Sequence, residues 1–154
     1  MTSVLRSIAD ALSSGLGATQ FASLDVQPTV KRQNLVAADL AGFVNPVVII
    51  QPAESKVTRI SRTHSQLDFT LHVFIGRQVK TEADIDVMLD FAEELALRLR
   101  AHSWGQVAFP IGVTSPIEID VQYNPGQALS ERGVWRALIM VNYRTFSADS
   151  VPTA

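Results

Sequence analysis

An α+β fold, with two principal helices packed on one face of a mainly antiparallel sheet and a long protruding loop or hairpin, follows from three features of this sequence. Residues 67–75 alternate apolar and polar side chains, the period of a half-buried strand. Residues 81–100 carry an apolar stripe at helical spacing behind a capping pattern. The element order is helix, strands, long helix, strands, which argues for helices collected on one face of the sheet.

Taken in order, residues 3–16 read as a first helix. Val4, Leu5, Ile8, Leu12 and Leu16 recur at helical spacing, and Gly15 and Gly17 are its expected stops. Residues 25–34 read as extended, with Pro28 pointing to an edge position. Residues 35–41 read as a short helical turn closed by Gly42. Val47, Val48, Ile49 and Ile50 form a β-branched run bracketed by Pro46 and Pro52, the pattern of a short buried strand. Residues 53–65 are polar and basic and read as a long loop or a protruding hairpin arm. In the strand that follows, Leu67, Phe69, Leu71, Val73 and Ile75 share one face. Asp68, Thr70, His72 and Phe74 lie on the other, where Phe74 is out of place and marks a contact with another surface.

Thr81-Glu82-Ala83-Asp84 has the form of a capping box with Asp in the place of the usual Glu or Gln. Ile85, Met88, Leu89, Ala92, Leu95, Ala96 and Leu99 then make the stripe. Asp84 and Asp86 sit near the positive end of the helix dipole, Arg98 and Arg100 near the negative end. Residues 117–123 read as a strand, and Asn124-Pro125-Gly126 fits a turn. Residues 134–146 read as a long central strand, with Trp135, Ala137, Ile139, Val141 and Tyr143 on one face and Leu138 and Met140 adding apolar weight to the other. This predicts one α+β domain over residues 1–146 and a flexible C-terminal tail over 147–154.

Composition narrows the function classes. A chain of 154 residues with 47% hydrophobic content can bury one substantial core without staples. It has no cysteine, which excludes disulfides, thiolate metal ligands and cysteine nucleophiles. The 13 basic residues are outnumbered by 15 acidic ones, so the excess of positive charge typical of a dedicated nucleic-acid binder is missing. No apolar run approaches the roughly 20 residues of a membrane-spanning helix. Polar residues follow Met1 where a signal peptide has its apolar stretch, so no membrane partner is expected.

A search for chemistry finds no catalytic constellation. His64, His72 and His102 fall in different elements without metal-ligand spacing. Asp68 and His72 lie four positions apart on a strand, roughly 13 Å, beyond the reach of a direct acid–base pair. Asp86, Asp90 and Glu93 share one helical face, the ordinary solvated complement of an apolar stripe. Oxygen-only cation sites draw ligands from a loop as well, and no acidic loop accompanies these three. The sequence holds no Gly-x-Ser-x-Gly elbow and no phosphate-binding loop. Gly15-Leu16-Gly17 lacks the third glycine of a dinucleotide fingerprint and follows a helix. The expectation is therefore no enzyme, no cofactor and no metal. The basic segment remains: Lys56, Arg59, Arg62 and His64, interleaved with Val57, Ile60 and Ser61, form either a solvated loop or an arm that meets a neighbouring subunit or DNA phosphates. Without aromatic residues in the segment, base stacking on single strands is disfavoured.

The amphipathic opening helix, the strand NPVVIIQP and the basic SRTHSQ lead into LDFTLHVFIGRQV, TEADIDVMLDFAEELALRLR and finally VWRALIMVNYRTF. In this order and texture the chain, from the first helix to Phe146, resembles the small tail-terminator and neck (head–tail joining) proteins of long-tailed bacteriophages. The resemblance implies a structural virion protein, assembled in the host cytoplasm and resident at the tail–neck region. Such proteins form homo-oligomeric rings, usually hexamers, that cap the tail tube and dock the head connector. Genomic DNA passes the lumen without sequence readout. The family offers no residue motif to carry over, so the candidate interface residues, Lys56, Arg59, Arg62, His64 and Phe74, come from the chain itself. A ring subunit also needs a rigid core, two different lateral surfaces and protruding segments. Residues 53–65 and 126–133 are the candidates for the last. A head-closure role in the same particle and a small ligand-binding regulatory domain are the alternatives. The second requires a concave apolar pocket with convergent polar groups.

Overall fold

The computed structural model describes residues 4–33, 44–100, 116–123 and 133–148. Helix α1 spans Val4–Ala18 and α2 spans Glu82–Arg100. The strands are β1 (Thr29–Arg32), β2 (Val47–Arg59), β3 (His64–Gln78), β4 (Pro116–Tyr123) and β5 (Val134–Ala148). They form one sheet in the order β1-β2-β3-β5-β4, antiparallel throughout except for the parallel β1–β2 pair. The expected α+β class is the observed one. The expected short turn at 35–41, the turn at 124–126, His102 and most of the 126–133 segment fall outside the described residues.

Both helices pack on the same face. Ile8, Leu12 and Leu16 of α1 and Met88, Phe91, Leu95 and Leu99 of α2 join Val48 and Ile50, Leu71, Val73 and Ile75, and Ile139, Val141 and Tyr143 in one buried cluster. Helix α1 lies over β1 and β2, and α2 over β4 and β5. Phe91 was not among the expected stripe residues. It is buried because Phe21, just past α1, meets its ring edge-on at 5.1 Å between centroids. Glu94 fastens the same junction: its carboxylate accepts from the backbone N–H groups of Ala22 and Ser23 and from the Ser23 hydroxyl. Partial burial works to raise the Glu94 pKa, but these hydrogen bonds to the charged form outweigh it and hold the carboxyl below its usual range.

Start and stop signals met different outcomes. Thr81 does cap α2: its Oγ1 accepts from the Asp84 N–H, and the Asp84 carboxylate accepts from the Lys80 and Thr81 N–H groups. Those backbone hydrogen bonds hold Asp84 below the usual carboxylate range. The two glycines do not stop α1, which continues to Ala18. Gly15 is buried on its core side, and Thr19 closes the helix by donating from Oγ1 to the Gly15 carbonyl and from its N–H to the Leu16 carbonyl.

Pro52 does not end β2 either. Ile50 turns its carbonyl toward β1, accepting from Gln33, and Pro52 shares that outward parity. Among the described residues no strand pairs with β2 on that side beyond Ile50, so the missing proline N–H interrupts no ladder bond among them. A register shift between Pro52 and Glu54 follows, and pairing with β3 then continues to Arg59. Strand β1 is an edge strand directly after Pro28, as expected. Strand β5 is interior, also as expected, but it reaches Ala148. Ser147 and Ala148 pair with Ser65 and His64 and so belong to the sheet rather than to a tail.

Candidate assembly surface

Residues 53–65 form a hairpin arm, not a loop. Arg59 pairs with Ser65 at its end, and residues 60–63 make the turn. Ile60 and Ser61 donate their N–H groups to the His64 carbonyl, and Ser61 Oγ accepts from the Thr63 and His64 N–H groups. Arg59 Nη2 donates to the Arg62 carbonyl, and Thr63 Oγ1 lies 2.8 Å from His64 Nδ1. A shallow hollow lined by Arg59, Ile60, Ser61 and Arg62 marks the tip.

The far end of β5 runs alongside this hairpin, so the arm is a three-stranded ribbon. On one face Lys56, Asp68 and Arg144 lie side by side across the strands. Arg144 Nε sits 2.7 Å from Asp68 Oδ1, and Gln66 Nε2 donates to Asp68 Oδ2. The Arg144 hydrogen bond is the main reason the Asp68 carboxyl lies below its usual range, with the charge of Lys56 adding to it. Asp68 is thus committed to the ribbon and takes no part in chemistry with His72. Burial falls away along the ribbon: Ala53 to Arg59 are all exposed, and Val57 and Ile60 are apolar residues left in solvent, at 68% and 53%. Phe146, on the ribbon's other side, is 59% exposed.

Four expected interface residues, Lys56, Arg59, Arg62 and His64, are therefore gathered on the arm. Phe74 is elsewhere. It lies ten positions from His64 along β3, roughly 33 Å away, and packs with Val47, Ile49 and Val134 in a second apolar cluster on the face away from the helices. His72 meets its ring edge-on. Phe74 therefore has apolar partners within its own chain, which accounts for its position on that face without an outside contact. Among sequence signals, only the paired apolar residues Val47 and Ile49 point to this second cluster.

Asp86, Asp90 and Glu93 are exposed together on the outward side of α2, with Glu82 before them and Leu97 after. Burial, and then the negative charge of Glu93, push the hydroxyl of nearby Tyr123 upward. No group of three or more acidic or histidine side chains among the described residues is arranged to hold a metal. No helix among them is long and apolar enough to cross a membrane. A second hollow, lined by Val79, Lys80, Thr81, Glu82, Ile85 and Gly133, lies at the start of α2 and gathers no catalytic set. No family model and no curated protein matches the chain.

Proposed function

We propose that this protein is a structural virion component and not an enzyme: a ring-forming tail terminator that caps a tail tube and presents a docking face to a head connector. The observation that carries the reading is the arm. A regular three-stranded ribbon extends past the helices with Val57, Ile60 and Phe146 exposed and with cations at its tip. Ordered β-structure that buries so little of its own apolar surface is built for contact with another body. The two edges of the sheet also differ, with β1 at one and β4, beside the acidic α2, at the other. Unlike flanks are what a head-to-tail, closed ring needs. The order of elements resembles that of tail-terminator and neck proteins, and a net charge of −2 suits a channel that lets DNA slide.

The test is the mass of the purified chain by light scattering and native mass spectrometry, beside electron microscopy of tail tubes assembled with and without it. A closed ring, hexameric by the resemblance, and blunt tubes of limited length are expected. A chain that stays monomeric and leaves tubes elongating unchecked overturns the reading.

A further inference from the structure

Resting on that ring reading, we propose the lateral contact itself: the β2 edge of the arm in one copy pairs, strand to strand, with the β5 edge of the arm in the next. Two rows of backbone groups on the ribbon point outward. Ile60 donates its N–H to the His64 carbonyl, so past the register shift Lys56 and Thr58 also turn their backbone groups toward β3. Those of Ser55 and Val57 then face away from it. The same bond places the even-numbered groups of β3 toward β2 and the odd-numbered ones toward β5. Leu67 thus bonds with Thr145, and Arg144 and Phe146 turn their backbone groups outward. Among the described residues no strand pairs with β2 on its outer side beyond Ile50, and none with β5 on its outer side beyond Tyr143. Ser55, Val57, Arg144 and Phe146 are all exposed. Outward rows of donors and acceptors on an ordered edge are a template for another strand.

A second copy is the partner because the ribbon carries both halves of the match. The two rows stand level, since Val57, Leu67 and Thr145 lie side by side across it. Strands β2 and β5 are each antiparallel to β3, so both run toward the tip. Rotation about a ring axis keeps every arm at one inclination to that axis, and neighbouring copies then offer β2 and β5 as a parallel pair. A strand about 4.8 Å away covers the flank of Val57 on the helix-side face and, at the other edge, that of Phe146 on the opposite face. Pairing β2 with β2 about a two-fold axis leaves the β5 row and Phe146 bare. The β2–β5 contact uses both edges and is heterologous, as a ring requires.

Proline tests the contact in the full chain, since Pro52 already occupies an outward position of β2. Val57→Pro and, separately, Phe146→Pro each remove one outward N–H and no bond of the chain's own ladder. Each is expected to leave a folded chain that melts close to wild type and to reduce the ring mass to that of the monomer. A photoreactive phenylalanine analogue replacing Val57 is expected to crosslink to the 144–148 peptide of another copy, a readout that holds even where a proline variant folds poorly. If the wild-type chain forms rings while either proline variant also does, or the crosslink maps outside that peptide, this contact is wrong and the ring reading stands. A crosslink to the 53–59 peptide of another copy replaces it with the two-fold pairing. If the proline variants keep the ring but no longer cap tubes, the edges pair with the tube and the proposal is overturned. A wild-type chain that never rises above monomer mass defeats both.

Discussion

The inner half of the β2–β3 hairpin pairs Val48 with Ile75 and Ile50 with Val73, all fully buried beneath the helices. The outer half pairs Lys56 with Asp68 and Thr58 with Gln66, and β2 there is exposed on both faces. The backbone ladder is the same in both halves. What differs is cover: burial of apolar surface, worth about 25 cal/mol per Å², holds the first half. Cross-strand pairs of a few tenths to about 1 kcal/mol hold the second. Stability is accordingly concentrated at one end of this pair of strands, and on the proposed reading the other end is left for assembly.

The largest effects belong at the covered end. Phe91→Ala is expected to cost about 3–5 kcal/mol by removing a buried ring and its edge contact with Phe21. Leu95→Ala, which empties a fully buried position, is expected to cost about 2–5 kcal/mol. Urea melts measure both, and a loss under half a kcal/mol at either site breaks the distinction between the two ends. Glu94→Gln comes next, at roughly 1–3 kcal/mol near neutral pH, because the amide offers one acceptor oxygen to donors that now meet two. Its pH signature sharpens the assignment. The folded Glu94 pKa is lowered, so the native state binds fewer protons than the unfolded state in the window between the two values. Its contribution is complete above the ordinary value of 4.5 and is lost as pH falls through the folded one. The Gln variant should show a flatter acid limb in melts between pH 6 and about pH 3. An acid limb unchanged in slope removes Glu94 from the account.

Thr81→Ala is expected to cost about 1 kcal/mol, the ordinary penalty for a lost cap. An unmoved denaturant midpoint places the helix's anchor elsewhere. The smallest effect on stability, and the largest on assembly, is expected from Arg59→Ala with Arg62→Ala. Exposed charges contribute little to folding, so the melting temperature should barely change. Ring formation or tube capping should fail. A double variant that unfolds readily would show that the arm shares in the core.

Elements whose side-chain period matches their burial were legible in the sequence. Strand β3 shows Leu67 to Ile75 alternating because one face lies beneath helices, and α2 shows its stripe and cap together. The arm was legible as a polar, basic protrusion, a loop or a hairpin, with no choice between the two, since exposure on both faces erases the alternation that marks a strand. Pro52 reads as a terminator because sequence does not reveal that its nitrogen faces away from β3, on the side where the pairing with β1 has ended. Phe91 was overlooked because its partner, Phe21, is distant in sequence and joins it only through the packing of two helices on one sheet. The interface candidates on the arm came from their charge. Phe74 came from its misfit in a polar row, and a second apolar cluster explains that misfit.

The pairing of β3 with β5 has a consequence for how the chain reaches this state. Thr70 donates to Asn142 across the ladder from 72 residues away in sequence, and every rung between these strands is comparably remote. Contacts this non-local make folding slow, on the millisecond-to-second scale typical of sheet-dominated domains. During synthesis at about 5–20 residues per second, β3 emerges seconds before its partner. Its inner edge then stands open, and the Asp68 carboxylate waits for Arg144. The ribbon is completed only when β5 zips along β3, so a subunit still on the ribosome lacks its finished arm. On the proposed reading, translation would thereby time assembly, since a chain that has not reached residue 148 lacks the completed arm.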